Sequence, residues 1–493
     1  MLEIPSHSPT FSLLFVPLNL TSLFVLLPIY APLIYLVTIL LPIFLNIQNS
    51  NLPPGPWYTH FTDLVPKYHE WNGNRRTYIH NLHKRYGGSV RIGVKEFAFC
   101  GSEGVKGVYG NEGGELDKTG FYGLFRQLGV RTTFSTEKRL EHKEKKKIIA
   151  KPYRNSEILK SVIMDDIEER SQAFLRKVED SENGSIDFYR YAHCFALDCA
   201  SHFLLGKAGI KSIEEKAGME IMEEMTYHSS LKNQLLTLYL QPLSTLFLSL
   251  FPQRSTPLTN TYILSSCIHL TQEPHSLLHA LQHASPSLSE TQIAAEIIDH
   301  LAAGIDTTGA SLTYLLHTLS LPSNLSIQEK LHLSLTSHPQ NNSTPETPET
   351  PYLNAIITET LRLYPQSPCP NPVSHHHPSP ESSINISSPQ TQPLHRNPAI
   401  FGDDAEMFYP ERWLVGEDIV REMERGFLAF GRGGRACTGK DLALAEMRHL
   451  IQRIYTQYRT RIKEGYEADM EMEDQIISSR PRGQECMLIF ERR

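Results

Sequence analysis

The apolar residues divide the chain into a continuous apolar N-terminal segment and a longer body of mixed pattern. Residues 11–47 are almost entirely apolar, and no Asp, Glu, Lys or Arg occurs between Glu3 and Asp63. Because a bilayer-spanning helix needs roughly 20 apolar residues, the segment predicts a membrane anchor over 1–50, with one span or two kinked ones. A cleaved signal peptide is the alternative, disfavoured by the length of the segment and its lack of an early basic flank. Positive charge begins at Lys67, which predicts a cytosolic body.

The body, residues 51–493, shows mainly helical periodicity, and short alternating stretches such as 89–98 indicate a minor β-sheet. The longest periodic stretch, 291–320, predicts one long helix. Two stretches rich in Pro, Ser, Thr, Asn or His, at 337–351 and 370–393, predict loops. The pattern therefore predicts a mainly α protein with a minor sheet.

Composition excludes some classes of function. The chain has 493 residues, 40% apolar and 20% charged, with a formal net charge of −7, which argues against a nucleic-acid-binding protein. Seven cysteines, an odd number without a C-x-x-C pair, do not predict a disulfide framework. We expect Cys194 and Cys199 to be buried structural thiols in a reducing compartment.

The most specific segment is 430–439, Phe-Gly-Arg-Gly-Gly-Arg-Ala-Cys-Thr-Gly, which precedes a helical stretch over 440–458. A helix N-terminus and backbone N–H groups favour the thiolate form of Cys437 as a metal ligand. Glycines let the backbone close around the sulfur, and Arg435 can meet an anionic cofactor group with directed donors.

This segment resembles the haem-binding signature of the cytochrome P450 family, F-x-x-G-x-R-x-C-x-G, through Phe430, Gly433, Arg435, Cys437 and Gly439. The resemblance implies the cytochrome P450 fold as one body over 51–493 after the anchor. It also implies haem b (heme b, iron protoporphyrin IX) as cofactor, with Cys437 as axial ligand of the iron and the other four residues in cofactor binding.

Two further segments resemble family motifs that support the haem pocket. Glu359 and Arg362 are three residues apart on one helical face and resemble the E-x-x-R motif. Arg412 lies in Pro-Glu-Arg-Trp, which resembles the family's P-E-R-F/W segment. The resemblance implies a structural network of these three residues without a direct catalytic role.

The predicted long helix carries polar residues at its centre, where desolvation disfavours them. Ala303, Gly304, Asp306 and Thr307 resemble the family's A/G-G-x-D/E-T motif. By that resemblance the small residues leave room for dioxygen, Thr307 helps to protonate it and Asp306 supplies the relay. The alternative is that the hydroxyls bond back to preceding carbonyls and only bend the helix.

A basic, helix-compatible run over 138–147 occupies the place of the family's C helix. There the resemblance implies that His142 and Lys146 meet a haem propionate. The remaining lysines either form a solvated face or face an acidic reductase, since complementary charge speeds encounter.

The pattern departs from the family between Arg362 and His395. The short strand hairpin that carries an Arg for the second propionate is not recognisable there, nor is the following I-P-x-G-T turn. Three histidines, 375–377, could bind a metal, although no other ligands lie nearby in the sequence. Beyond this break, the stretch 398–414 resembles fungal P450s of secondary metabolism.

The resemblance implies a haem-thiolate monooxygenase acting on a lipophilic small molecule. The sequence has no dinucleotide-binding fingerprint and no room for a flavin domain, so we expect electrons from a separate NADPH–cytochrome P450 reductase in the endoplasmic reticulum membrane. Two alternatives stay open: an inactive remnant that binds haem weakly, and a reductase-independent isomerase or dehydratase, which would be expected to depart at Asp306 and Thr307.

Overall fold

Helices form most of the chain that the computed structural model describes, which comprises residues 30, 32–35, 37, 52–109, 116–227, 231–239, 255–268, 273–337, 350–366, 373–375, 384–386, 390–467 and 469–493. The predicted anchor over 1–50 and the predicted loop over 337–351 lie almost entirely outside these residues. Within them, no helix combines the length and hydropathy that a bilayer crossing requires.

The α-helices are α1 Leu64–Trp71, α2 Arg75–Tyr86, α3 Ser102–Tyr109, α4 Arg139–Ile149, α5 Asn155–Ile158, α6 Ser161–Glu179, α7 Phe188–Leu205, α8 Lys216–Thr226, α9 Leu231–Tyr239, α10 Pro257–Cys267, α11 Leu277–Gln282, α12 Glu290–Ser320, α13 Leu325–Thr336, α14 Pro351–Leu363, α15 Thr391–His395, α16 Pro398–Phe401, α17 Glu417–Gly426 and α18 Lys440–Gln457.

The strands are β1 Ser89–Arg91, β2 Glu96–Phe99, β3 Asp117–Lys118, β4 Ser185–Asp187, β5 Val373–His375, β6 Ile384–Ile386, β7 Tyr458–Ile462, β8 Met472–Asp474, β9 Ser479–Pro481 and β10 Met487–Arg492. They form sheets with the orders β1-β2-β6-β5-β3, β4-β10-β7 and β8-β9. Every pairing is antiparallel except that of β2 with β6. The mainly α architecture with minor sheets is confirmed.

A hairpin lies between Arg362 and His395, where none was recognisable in the sequence, and the prediction of a loop over 370–393 is wrong for the described residues 373–375, 384–386 and 391–393. β5 and β6 pair with Val373 opposite Ile386, and α15 begins at Thr391. Each strand has only three residues, too few for a periodic signal, and β5 itself contains Ser374 and His375, residue types that suggested a loop. The pairing with β2 and β3 on either side supplies hydrogen bonds that the local sequence does not reveal.

The predicted long helix is α12, which begins one residue earlier than the pattern suggested. Its N-terminus has a capping box in which Ser289 and Gln292 exchange side-chain and backbone hydrogen bonds. α12 packs against α7 so closely that a Cβ at Gly304 would lie 3.1 Å from the Ala200 methyl group. The helix therefore runs through the main core, which it shares with α18.

Cys194 and Cys199 lie on α7 and are buried thiols without a disulfide, as predicted. The histidines at 376 and 377 lie outside the described residues. Among the residues that are described, no group of three or more His, Cys, Asp or Glu side chains could hold a metal ion.

Candidate functional site

The cysteine loop, residues 427–439, connects α17 to α18 and closes on itself. The Cys437 N–H donates to the Phe430 carbonyl at 2.8 Å. Gly431 and Gly433 have φ angles of 65° and 67°, a region that favours glycine. Gly439, with φ of −84°, has no such requirement. The loop thus places the sulfur just before the first turn of α18, where unpaired N–H groups concentrate positive potential.

Cys437 is solvent-accessible, yet protein surrounds it on many sides. Burial raises the pKa of its thiol, whereas a hydrogen bond from the Gly439 N–H and the charges of Lys146 and Lys440 oppose that rise. The positive potential at the sulfur therefore favours loss of the thiol proton when a metal cation binds.

Arg435 belongs to the cysteine loop, and Lys146 lies against it. Lys146 Nζ donates to the carbonyls of Gly434 at 3.0 Å and Ala436 at 2.9 Å, so it holds the loop backbone. Arg435 Nη2 donates to the Glu137 carbonyl at 2.9 Å. Its buried Nη1 has no hydrogen-bond partner among the described residues.

His142 is buried beside these cations. Burial, together with the positive charges of Arg435, Lys118 and Lys146, lowers its pKa to about 3. The imidazole is therefore neutral at physiological pH, and it can donate one hydrogen bond to an anion.

Lys118 is a site residue that the sequence reasoning missed. It is 5% exposed, its Nζ donates to the Phe134 carbonyl at 2.5 Å, and the rings of Tyr122 and Phe134 flank it at 4.2 and 4.4 Å. Burial and the charge of Arg435 lower its pKa to about 7, although Asp299 opposes the change. The position of Lys118 before an aromatic run is the only signal of its role in the sequence.

Lys118 also lies in β3, opposite Val373 of the hairpin. The described hairpin strands, Val-Ser-His and Ile-Asn-Ile, contain no arginine. Lys118, Arg435, His142 and Lys146 thus form a cationic cluster in which burial and mutual repulsion disfavour the charged forms. A dianionic cofactor edge such as the two haem carboxylates fits this cluster, because it would relieve the repulsion and occupy Arg435 Nη1.

The centre of α12 presents a chemically distinct face. Ala303 is exposed, and Gly304, Asp306 and Thr307 are partly exposed although neighbouring turns are buried. Thr307 Oγ1 donates to the Ala303 carbonyl at 2.8 Å, which is the back-bonding that the structural alternative expected. α12 nevertheless continues without interruption, and the hydroxyl oxygen keeps lone pairs for an incoming donor.

Glu359, Arg362 and Arg412 lie together, as the motif resemblance implied. The Glu359 carboxylate accepts from Arg362 Nε and Nη2, both at 2.8 Å, and from Arg412 Nε at 3.0 Å. It also accepts from the Tyr409 N–H and the Trp413 indole N–H, each at 2.9 Å. Glu359 and Arg362 are 0% exposed, so the five bonds compensate a fully desolvated pair.

A separate apolar cluster forms near the cationic cluster. Tyr122 meets Phe134 edge to face at 5.3 Å between ring centroids, and Phe121 meets Phe125 at 5.4 Å. Leu235 of α9 and Ile476, which precedes β9, complete the cluster. The Phe134 N–H bonds to the Asp299 carboxylate on α12, one turn before Ala303, so this aromatic cluster adjoins the distinct face of α12.

Comparisons with known proteins point to one family. The cytochrome P450 family model matches residues 53–487. The chain is 24% identical to cytochrome P450 monooxygenase orf2 of Aspergillus niger, over 88% of this chain and 92% of that protein. It is 25% identical to cytochrome P450 monooxygenase stcB of Emericella nidulans, over 88% and 87% of the two chains. It is also 25% identical to pisatin demethylase of Fusarium vanettenii, over 84% of each.

Proposed function

Because the chain belongs to the cytochrome P450 family and is a P450 monooxygenase, we propose that it inserts one atom of dioxygen into a lipophilic small molecule of fungal secondary metabolism. The observation that carries the proposal is the placement of Cys437 at the start of α18, beside a cationic cluster in which Arg435 Nη1 has no hydrogen-bond partner among the described residues. When bound, the haem would supply the activation of dioxygen, assisted by charge donated from the thiolate.

The cofactor carboxylates would be held by Arg435 and Lys118, with His142 as a neutral donor. Lys118→Met should weaken the binding of hemin to apoprotein about tenfold, a typical effect for a residue that supports a metal centre. Lys143→Met is the matched control, because Lys143 is exposed on α4. Equal affinities for the two variants would remove Lys118 from the cofactor site.

The polar residues at the centre of α12 would transfer protons. Thr307 Oγ1 holds a proton that it donates to the Ala303 carbonyl at 2.8 Å, and Asp306 immediately precedes Thr307 in the helix. In this proposal Thr307 delivers that proton towards the cofactor side, and Asp306 replaces it, while Ala303 and Gly304 keep the space clear of larger side chains.

The aromatic cluster supports a lipophilic substrate. Its rings offer apolar surface with quadrupolar edges and faces, which binds aromatic or polycyclic molecules better than charged ones. A panel of such compounds, added to purified haem-loaded protein, should give saturable shifts of the Soret band. Preferential shifts by small charged metabolites would contradict this substrate class.

Electrons would come from a separate NADPH–cytochrome P450 reductase. Lys143 and Lys147 are exposed on α4, and Lys146 of the same helix contacts the cysteine loop. The exposed lysines therefore lie on the helix adjoining the thiolate, where an acidic partner could dock with a short path to the cofactor. Reversing both charges should lower the apparent affinity for reductase and leave hemin binding unchanged.

Membrane attachment is part of the proposal, with an anchor over 1–50, a haem domain over 51–493, and the body on the cytosolic side of the endoplasmic reticulum. Exposed apolar side chains follow the predicted anchor, since Trp57, Leu64 and Tyr68 are 75%, 71% and 63% exposed. Such a surface is compatible with contact to lipid. Release of the full chain from microsomes by alkaline carbonate would contradict an integral anchor.

The deciding experiment is a reduced carbon-monoxide difference spectrum of the full chain, followed by turnover with NADPH and reductase. We expect the thiolate band, and its loss in Cys437→Ala. Absence of the band in the unsubstituted protein would favour the inactive remnant. A band accompanied by substrate conversion without NADPH would favour the isomerase or dehydratase.

A further inference from the structure

Three polar side chains form a chain through the core behind the cysteine loop. Tyr153, in the turn between α4 and α5, places its Oη 2.8 Å from His300 Nδ1 on α12. The His300 Nε2 lies 3.7 Å from Glu296 Oε2, and the other Glu296 oxygen accepts from the Thr133 N–H at 2.7 Å. None of these residues belongs to the motifs from which the site was recognised.

The direction of the hydrogen bonds follows from the surroundings. Burial raises the pKa of Tyr153 and lowers that of His300 to about 4, so the phenol keeps its proton and the imidazole is neutral. A proton on Nε2 faces the Glu296 carboxylate at 3.7 Å, a separation at which the attraction is electrostatic and not a hydrogen bond, and this tautomer leaves Nδ1 as the acceptor for the Tyr153 hydroxyl. The hydrogen bond from its hydroxyl to His300 Nδ1 thereby fixes the orientation of the Tyr153 ring.

The ring of Tyr153 is fixed from its other sides by packing. It lies 4.7 Å from the Phe203 ring, centroid to centroid. A Cβ on Gly439 would lie 3.8 Å from Tyr153 Cε1, so the ring edge faces the backbone of Gly439. That backbone supplies the N–H that hydrogen-bonds to the Cys437 sulfur.

We propose that Tyr153, oriented by His300 and Glu296, is a positioning residue that aims the Gly439 N–H at the Cys437 sulfur and so tunes the thiolate. The proposal rests on the haem-thiolate function proposed above. A hydrogen bond to a ligating sulfur withdraws electron density from it, which raises the reduction potential of the bound metal. The polar chain would therefore act on the cofactor without touching it.

Tyr153→Phe removes only the hydroxyl and keeps the ring. It therefore tests the hydrogen bond to His300 without changing the packing of the ring. We expect a reduction potential more negative than that of the unsubstituted protein and about tenfold weaker hemin binding. His300→Leu should produce the same shift, and the double variant should show no additional one, because both changes break the same contact. His300→Gln, whose amide can still accept, should restore part of the potential.

Tyr455→Phe is the matched control. Tyr455 is also a fully buried phenol in the main core, and its Oη lies 2.9 Å from Thr460 Oγ1. Thermal unfolding midpoints of the apoproteins and spectroelectrochemical potentials of the haem-loaded proteins should be measured for all variants. We expect comparable midpoints for the two Tyr→Phe variants but a shifted potential in Tyr153→Phe alone.

Two results would overturn the inference. If Tyr153→Phe has the potential and hemin affinity of Tyr455→Phe while both show the thiolate band, Tyr153 has only a packing role. If the unsubstituted protein lacks the thiolate band, the proposed haem-thiolate function is wrong. The tuning role of Tyr153 is then wrong as well, because there is no thiolate ligand to tune.

Discussion

The buried Glu359 network makes the strongest quantitative prediction. In Glu359→Gln the side chain keeps its shape but loses its charge, and its new amide N–H₂ points at groups that are themselves donors. Arg362 then has no carboxylate partner among the described residues, since its remaining bonds go to the carbonyls of His395, Ala405 and Met407. Arg412 keeps Asp404 at 2.9 Å.

Removing one partner of a buried ion pair costs about 3–5 kcal/mol, because it leaves an uncompensated charge away from water. Both Glu359 and Arg362 are 0% exposed, so the full range applies. Since proteins are stable by only about 5–15 kcal/mol, we expect a large fall in the free energy of unfolding and in the yield of folded protein.

Urea unfolding, followed by tryptophan fluorescence, measures this effect, and Trp413 itself donates to Glu359. Glu411→Gln is the matched control. Glu411 pairs with Lys330 at 2.7 Å, but that lysine side chain is 60% exposed, and exposed pairs contribute about 0–1 kcal/mol. Equal midpoints for the two variants would refute the claim that the buried Glu359 network contributes more to stability than an exposed ion pair.

Three further predictions follow from local geometry. Gly433→Ala, at a φ of 67°, should lower the free energy of unfolding by about 1–2 kcal/mol relative to Gly434→Ala, whose position has negative φ and no neighbour within 4 Å, in matched thermal melts. His395 donates through Nδ1 and accepts from the Leu428 N–H at Nε2, and burial lowers its pKa to about 3. As the pH falls through about 6.5, His395 is protonated in the unfolded state but stays neutral in the folded state. This histidine alone should therefore lower the free energy of unfolding by about 1.4 kcal/mol between pH 7.5 and 5.5. If His395→Asn shows the same dependence of stability on pH, His395 is not its source. Thr307→Ala should keep the thiolate band but divert NADPH-derived electrons from product to hydrogen peroxide, and unchanged coupling would remove Thr307 from proton delivery.

The local sequence reveals the cysteine loop and α12 but not the β5–β6 hairpin. The cysteine loop and α12 were recognisable because their residues are adjacent in the chain or repeat at helical spacing. The order glycine loop, cysteine, helix follows directly from the residues 430–457. The hairpin was missed because strands of three residues carry no period, and their neighbours in the sheet come from residues 96–118.

The family, the long helix and the mainly α class could be read from the sequence alone, because each depends on short-range patterns; such a pattern also singles out Cys437 as the candidate ligand. Only the tertiary structure placed Lys118 beside Arg435, although more than 300 residues separate them, and joined Tyr153 to His300 across 147 residues. Contacts of that kind depend on which helix faces pack together and which charges are buried together. The local periodicity of the sequence therefore does not predict them.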